Sequence, residues 1–136
     1  MAQQGYDAGQ LVNRGGEGEI RATKWRGIPF AIKSCQGSPA GEMELAKVLH
    51  TSWVQTPLED RYMPNESTTL LLYELAACDL HTSINALPGG EGGLLLSPGA
   101  FAAVAAQTVV AVSLIHGHGY CHNDIKLTNF LTTGNN

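Results

Sequence analysis

Glycine turns between strand-like runs constrain the fold of this chain most strongly. Gln10–Val12 and Glu19–Trp25 flank the glycine-rich segment Gly15–Gly18, and Arg26–Gly27 separates the second run from a third, Ile28–Ser34. Apolar and polar residues alternate in the third run, so the pattern predicts three antiparallel strands in a meander. A dinucleotide-binding fingerprint is excluded, because a helix must follow the glycines in that motif.

The rest of the chain is mainly helical by pattern. Apolar residues recur at helical intervals in Glu42–His50, whereas Leu58–Asn65 is turn-like and Thr68–Leu75 is typical of a buried strand. A second helix is predicted within Ala77–Ala86. A long apolar helix follows Ser97–Pro98, and we expect its central part, residues 100–115, to be buried, since 16 residues are too few to span a bilayer. Strands first and helices later predict an α+β fold.

Length and charge limit the function classes. The chain has 136 residues, which suits one small domain or part of a larger one. Its net charge of −4 argues against nucleic acid and against anionic membranes as partners. The cysteines Cys35, Cys78 and Cys121 are odd in number and far apart, so reduced thiols and a cytoplasmic or nuclear location are expected.

The segment His122–Asn129 is the strongest chemical signal. It reads His-Asn-Asp-Ile-Lys-Leu-Thr-Asn, with Asp124, Lys126 and Asn129 at fixed offsets after the histidine. This segment resembles the catalytic loop of eukaryotic-type protein kinases. Taken alone, it could also be an ordinary polar loop after a helix.

A lysine upstream supports the same resemblance. Ala31-Ile32-Lys33 ends a predicted strand, as the ATP-binding lysine of protein kinases does. An isolated triplet of this kind is more often a surface lysine. Lys33, however, precedes Asp124 by about 90 residues, which is close to the separation found in the kinase family.

The glycine segment resembles the kinase phosphate-binding loop, although a plain hairpin turn explains it equally well alone. Gly15 and Gly18 match the second and third glycines of that loop, while Asn13 and Glu17 replace the usual glycine and aromatic residue. Backbone amides can approach phosphates there because glycine has no side chain. The resemblance implies an apolar surface above adenine that is formed by Val12, Ile20 and Ala31.

The resemblance assigns the chemistry of phosphoryl transfer. Lys33 is expected to bind the α- and β-phosphates of ATP. Asp124 accepts the proton of a protein serine or threonine hydroxyl, and Lys126 neutralises the migrating phosphoryl group. Asn129 offers an amide oxygen to Mg²⁺, a cation that prefers oxygen ligands. The position of Lys126, two residues after Asp124, favours serine/threonine over tyrosine substrates.

The resemblance places further residues around the nucleotide. Glu42 could pair with Lys33 from the first helix, although the sequence separation is shorter than usual. Tyr73 takes the gatekeeper position at the end of a strand. The backbones of Glu74 and Ala76 are then expected to face the edge of adenine. Residues 1–75 correspond to the ATP-binding lobe of a kinase, and residues 76–136 correspond to the hinge and the start of the second lobe.

The sequence departs from the kinase pattern at two points, and two alternatives to an active kinase remain open. Asn123 replaces an arginine that grips a phosphorylated activation loop, and no Asp-Phe-Gly follows Asn129 in this sequence. We therefore expect little activity from this chain alone. One alternative is a catalytically inactive kinase-like module that binds nucleotide or a protein. The other is a metal site formed by residues crowded at a helix end: His116, His118, Cys121 and His122.

Overall fold

The structure is a computed structural model that describes residues 9–16, 18–87 and 96–132. The chain separates into two compact units. The first comprises the residues up to His50 together with Gln55–Leu75, and the second comprises Thr51–Val54 and the residues from Ala76 onward. Strands dominate the first unit and helices dominate the second. The predicted α+β class is therefore confirmed.

In the described residues, a five-stranded antiparallel sheet and one helix form the first unit. The elements are β1 (Gln10–Gly15), β2 (Gly18–Trp25), β3 (Ile28–Gln36), α1 (Ala40–Val48), β4 (Glu59–Met63) and β5 (Thr68–Glu74). The strand order is β1-β2-β3-β5-β4. The predicted meander is confirmed, and β1 is three residues longer than expected because its pairing with β2 continues to the glycine turn.

The turn between β2 and β3 follows from its two central residues. Arg26 and Gly27 have φ angles of 51° and 82°, and Trp25 pairs with Ile28 across the hairpin. Two positive φ angles in a two-residue loop define the type I′ turn, whose twist matches that of the flanking strands. The turn therefore sets the register that continues to Glu19 and Ser34.

The fourth strand was not predicted. Leu58–Asn65 was expected to be a turn, but Glu59–Met63 pairs with β5 from Glu59↔Leu72 to Met63↔Thr68. Four of its five residues are exposed. Because β4 lies at an edge of the sheet and buries no face, its sequence lacks the alternation that signals a strand.

The described core of the first unit is small. Leu71, in the middle of β5, has no exposed surface, and Cys35 and Leu49 are also buried. Thr69 is buried beside them, and its hydroxyl donates to the carbonyl of Gly37 over 2.6 Å. The sheet is therefore anchored through β5 and the end of β3.

Where the structure describes it, the second unit contains two helices and a short two-stranded ladder. Ladder strands β6 (Cys78–Asp79) and β7 (Leu131–Thr132) pair antiparallel, and a 3-10 turn at Leu127–Asn129 precedes β7. The helices are α2 (Leu80–Asn85) and α3 (Pro98–Gly117). Ser97 caps α3 by accepting a hydrogen bond from the Ala100 amide over 3.2 Å.

The expected burial of α3 is wrong for the described part of the chain. Ile115 is its single buried residue, and large side chains such as Phe101 and Val109 are exposed. It is 20 residues long and contains an 18-residue window with a mean hydropathy of 1.8, so length and composition alone would allow it to cross a membrane. A core helix of a soluble protein meets the same criteria. A helix that is apolar on all sides is normally buried against other protein or in a membrane, and the sequence of α3 does not specify which of these surrounds it.

Candidate functional site

One face of the sheet in the first unit collects most of the predicted nucleotide-binding side chains. Ile20 pairs with Lys33, which pairs in turn with Leu71. Ala31 pairs with Tyr73. Directly paired residues point to the same face, and so do residues two apart along a strand. Ile20, Ala31, Lys33 and Tyr73 therefore share one face.

Val12 differs from the rest of the predicted apolar surface. It lies between Leu11 and Asn13 at an irregularity in the pairing of β1 with β2, and 58% of its surface is exposed. A bulge of this kind leaves a residue without a direct partner and bends the strand. Ile20 and Ala31, by contrast, are both part-buried within the regular ladder.

Lys33, Glu42 and Tyr73 are brought together. The Lys33 ammonium forms an ion pair and hydrogen bond with Oε1 of Glu42, and the Tyr73 hydroxyl donates to Oε2 of the same carboxylate. The Lys33 side chain is 17% exposed and that of Glu42 is 39% exposed. Burial raises the pKa of Tyr73 far above its ordinary value, and the hydrogen bond to Glu42 raises it further. The phenol is therefore a hydrogen-bond donor at neutral pH.

The first turn of α1 places Glu42 beside the sheet. A carboxylate in that turn is favoured by the positive end of the helix dipole. The short sequence separation between Lys33 and Glu42 therefore does not prevent the ion pair. Sequence reasoning missed the bond from Tyr73, since Tyr73 and Glu42 are 31 positions apart and no local pattern links them.

The glycine turn contains two kinds of glycine. Gly15 pairs with Gly18 where β1 and β2 meet, and Gly18 has a φ of 134°. A Cβ at Gly18 would lie 1.9 Å from the carbonyl oxygen of Ser34, whereas one at Gly15 or Gly16 would meet nothing within 4 Å. Gly18 is thus required by the sheet itself. Gly15 and Gly16 leave open backbone that a phosphate could approach, and Glu17 lies outside the described residues.

Charged residues beside this turn were missed by the sequence analysis. Arg14 and Glu19 are direct cross-strand partners, and the Arg14 guanidinium donates to the Glu19 carboxylate over 3.0 Å from Nε. Arg21 also pairs with Glu19. These bonds, first from Arg14 and then from Arg21, hold the pKa of Glu19 below its ordinary value. The detectable signal was an arginine and a glutamate flanking the glycines at matching positions.

The two residues expected at the adenine edge fall in different units. Glu74 ends β5, and its carbonyl oxygen accepts a hydrogen bond of 2.7 Å from Nε2 of Gln55, a residue that sequence reasoning did not consider. Ala76 begins the main segment of the second unit and is part-buried there. A carbonyl oxygen has two lone pairs, so Glu74 can still accept one further bond.

Within the second unit, the residues that resemble a kinase catalytic loop form one hydrogen-bonded cluster. The Lys126 ammonium lies 2.8 Å from Oδ2 of Asp124. The Asn129 amide nitrogen donates to Oδ2 of Asp124 over 2.9 Å and to its carbonyl oxygen over 2.7 Å. The Asp124 amide donates to Nδ1 of His122 over 3.2 Å. Asn123 adopts a φ of 62°, a conformation that asparagine tolerates better than most residues.

This cluster keeps a carboxylate ionised next to a cation. The bond from Lys126, and then the bond from Asn129, lower the pKa of Asp124. About half of each side chain in the Asp124–Lys126 pair is exposed, so both can be reached from solvent. Asn129 uses its amide nitrogen on Asp124, which leaves the amide oxygen, a ligand type suited to a hard cation. Mg²⁺ sites in proteins usually combine one or two carboxylates with water and phosphate oxygens, so the role of Asn129 as a Mg²⁺ ligand stays a prediction.

We expect Lys126→Met to raise the pKa of Asp124 toward its ordinary value. The substitution removes the largest cause of the lowered pKa while keeping a side chain of similar length. Carboxyl ¹³C chemical shifts followed by NMR from pH 2 to 7 measure this change. Asp79 is an internal control, because the backbone amide of Thr82 is the main cause of its lowered pKa. Equal changes at both carboxylates, or no change at Asp124, would contradict the assignment.

The alternative metal site receives no support from the described segments. Among residues 9–16, 18–87 and 96–132, no group of three or more His, Cys, Asp or Glu side chains is placed to hold a metal ion. His118 and His122 instead make hydrogen bonds, to the carbonyl of Leu114 and with the amide of Asp124.

No protein-family model and no curated protein matches the chain.

Proposed function

We propose that the chain carries the nucleotide-binding sheet and the catalytic loop of an ATP-dependent protein kinase that acts on serine or threonine hydroxyls. The ion pair of Lys33 with Glu42 is the main support. It holds a cation at a fixed place on a sheet face, next to part-buried apolar side chains and in the same unit as an open glycine turn. A kinase-like arrangement of the antiparallel sheet and α1 belongs to the same proposal.

The sheet face and the glycine turn then divide the binding of ATP between them. Lys33 contacts the α- and β-phosphates, and the backbone at Gly15 and Gly16 covers the phosphate chain. Ile20 and Ala31 offer an apolar surface to adenine. Val12 joins them only if β1 adjusts at its bulge. The backbone of Glu74 supplies a hydrogen bond to the base, and Gln55 shares the Glu74 carbonyl.

The cluster in the second unit supplies the groups for transfer. Asp124 orients the attacking hydroxyl and accepts its proton, and its low pKa keeps it ionised for that task. Lys126 neutralises charge on the transferring phosphoryl group. The Asn129 oxygen would hold Mg²⁺, which when bound neutralises the phosphate oxygens of ATP. Most of the rate in such reactions comes from positioned charge rather than from covalent chemistry.

Lys33→Met tests this proposal directly. We expect it to weaken binding of ATP about tenfold or more, because a hydrogen bond between charged groups contributes about 1.5–3 kcal/mol. Binding of adenosine should not change, since adenosine has no phosphates for Lys33 to contact. Isothermal titration calorimetry with each ligand in the presence of Mg²⁺ makes the comparison.

Lys24→Met is the matched control. Lys24 lies on the neighbouring strand β2, carries the same charge and is exposed, so its loss should leave both affinities unchanged. Equal ATP affinity in wild type and Lys33→Met would remove Lys33 from the phosphate site. A wild-type protein that binds no ATP would refute the proposed function itself.

A further inference from the structure

Glu42 is held by donors from two neighbouring strands. Lys33 of β3 occupies Oε1, and Tyr73 of β5 occupies Oε2. The two donors lie on the same sheet face, where Lys33 pairs with Leu71 and Tyr73 pairs with Ala31. A carboxylate with both oxygens engaged cannot rotate about its last torsion without breaking a bond. The bond from Tyr73 therefore limits where Glu42 can place its partner Lys33.

We propose that Tyr73 is a positioning residue for nucleotide binding, whose hydroxyl fixes Glu42 and, through it, the ammonium of Lys33. This role rests on the proposed ATP site, because it matters only if Lys33 binds phosphate. Tyr73 contacts Glu42 rather than the phosphates, so its effect must pass through Glu42. That requirement distinguishes the role from a contact with the base.

The burial of the three groups sets the size of the effect. Tyr73 and Lys33 are part-buried, while Glu42 remains 39% exposed. Water can therefore partly replace the lost hydroxyl, and the effect should be smaller than the loss of Lys33 itself. We expect about a fivefold weakening of ATP binding when the hydroxyl is removed, which is less than the roughly tenfold or more expected when a hydrogen bond to a charged group is lost and water does not replace it.

Tyr73→Phe is the decisive variant because it removes the hydroxyl and keeps the ring in the sheet. ATP should bind about fivefold more weakly, and adenosine should bind as it does to wild type. The same substitution in a Glu42→Ala background should cause no further loss, because the group on which Tyr73 acts is gone. Equal weakening for ATP and adenosine, or a full effect without Glu42, would refute the positioning role.

A second readout does not depend on nucleotide. In the free protein, Tyr73→Phe should shift or broaden the NMR signals of Lys33 Cε and Nζ, because Glu42 becomes free to move. Tyr62→Phe, on the exposed strand β4, is the matched control and should leave those signals unchanged. If wild type binds no ATP, this measurement still decides whether Tyr73 positions Lys33. Unchanged Lys33 signals in Tyr73→Phe would overturn the inference.

The reciprocal variant covers the case in which Tyr73→Phe does not fold. Glu42→Gln keeps the shape of the side chain and removes its charge, so the NMR signal of Tyr73 Cζ should shift as the bond to its hydroxyl weakens. A Tyr73 Cζ signal identical in wild type and Glu42→Gln would show that the bond does not form in solution, and the inference would then be wrong.

Discussion

Replacing Gly18 with alanine is expected to destabilise the five-stranded sheet by about 3 kcal/mol or more. The new Cβ would lie 1.9 Å from the carbonyl oxygen of Ser34, far inside van der Waals contact. The φ of 134° is also a conformation that residues with a Cβ rarely adopt. Both effects act where β2 meets β3, so either the turn or the pairing of Glu19 with Ser34 must shift.

Gly16→Ala is the matched control for this prediction. It makes the same chemical change in the same turn, but its Cβ would meet nothing within 4 Å. We expect it to change stability by less than about 1 kcal/mol. Urea unfolding followed by far-ultraviolet circular dichroism gives both values. If the two variants are equally stable, the close approach of Gly18 to Ser34 is not present in solution.

Leu71→Ala is expected to destabilise the first unit by about 2–5 kcal/mol. Leu71 has no exposed surface and lies between Lys33 of β3 and Asp60 of β4 in the ladder. Its truncation removes apolar contacts and leaves a cavity at the centre of the sheet. Lys33 is its direct neighbour on the same face, so the truncation should also weaken the proposed binding of ATP at Lys33.

Leu58→Ala serves as the control for the core. Leu58 is 58% exposed, and its backbone bond to the Leu72 carbonyl does not depend on its side chain. We expect a change of less than about 1 kcal/mol in thermal or urea unfolding. A similar loss in both variants would mean that Leu71 is not the centre of the core.

Alternation and turn chemistry were sufficient to predict much of the first unit. Local patterns predicted the meander of β1 to β3, a strand at Thr68–Leu75 and a helix over Glu42–His50, and the structure has the last two at Thr68–Glu74 and Ala40–Val48. Strand β4 was not predicted, because an edge strand with exposed charged residues carries no apolar period. The exposure of α3 was not predicted either, because a uniformly apolar helix does not reveal its surroundings.

The candidate site also contains residues that could be predicted from the sequence and contacts that could not. Lys33, Asp124, Lys126 and Asn129 could be selected because their types and spacing resemble the motifs of protein kinases. The bond of Tyr73 to Glu42, and that of Gln55 to Glu74, join positions 31 and 19 apart, so only the folded chain brings them together. Long-range side-chain bonds of this kind depend on sheet register and helix placement, which a single sequence does not specify.

The outer strands of the sheet also affect whether two copies of the protein can associate edge to edge. A free strand edge exposes amide and carbonyl groups that can pair with another chain and start aggregation. Here β4 places Glu59, Asp60 and Arg61 along one edge, and β1 carries its pairing irregularity at Val12 along the other. Charged side chains and bulges both disfavour edge-to-edge pairing. Within the described part of the first unit, both margins thus oppose addition of a further strand.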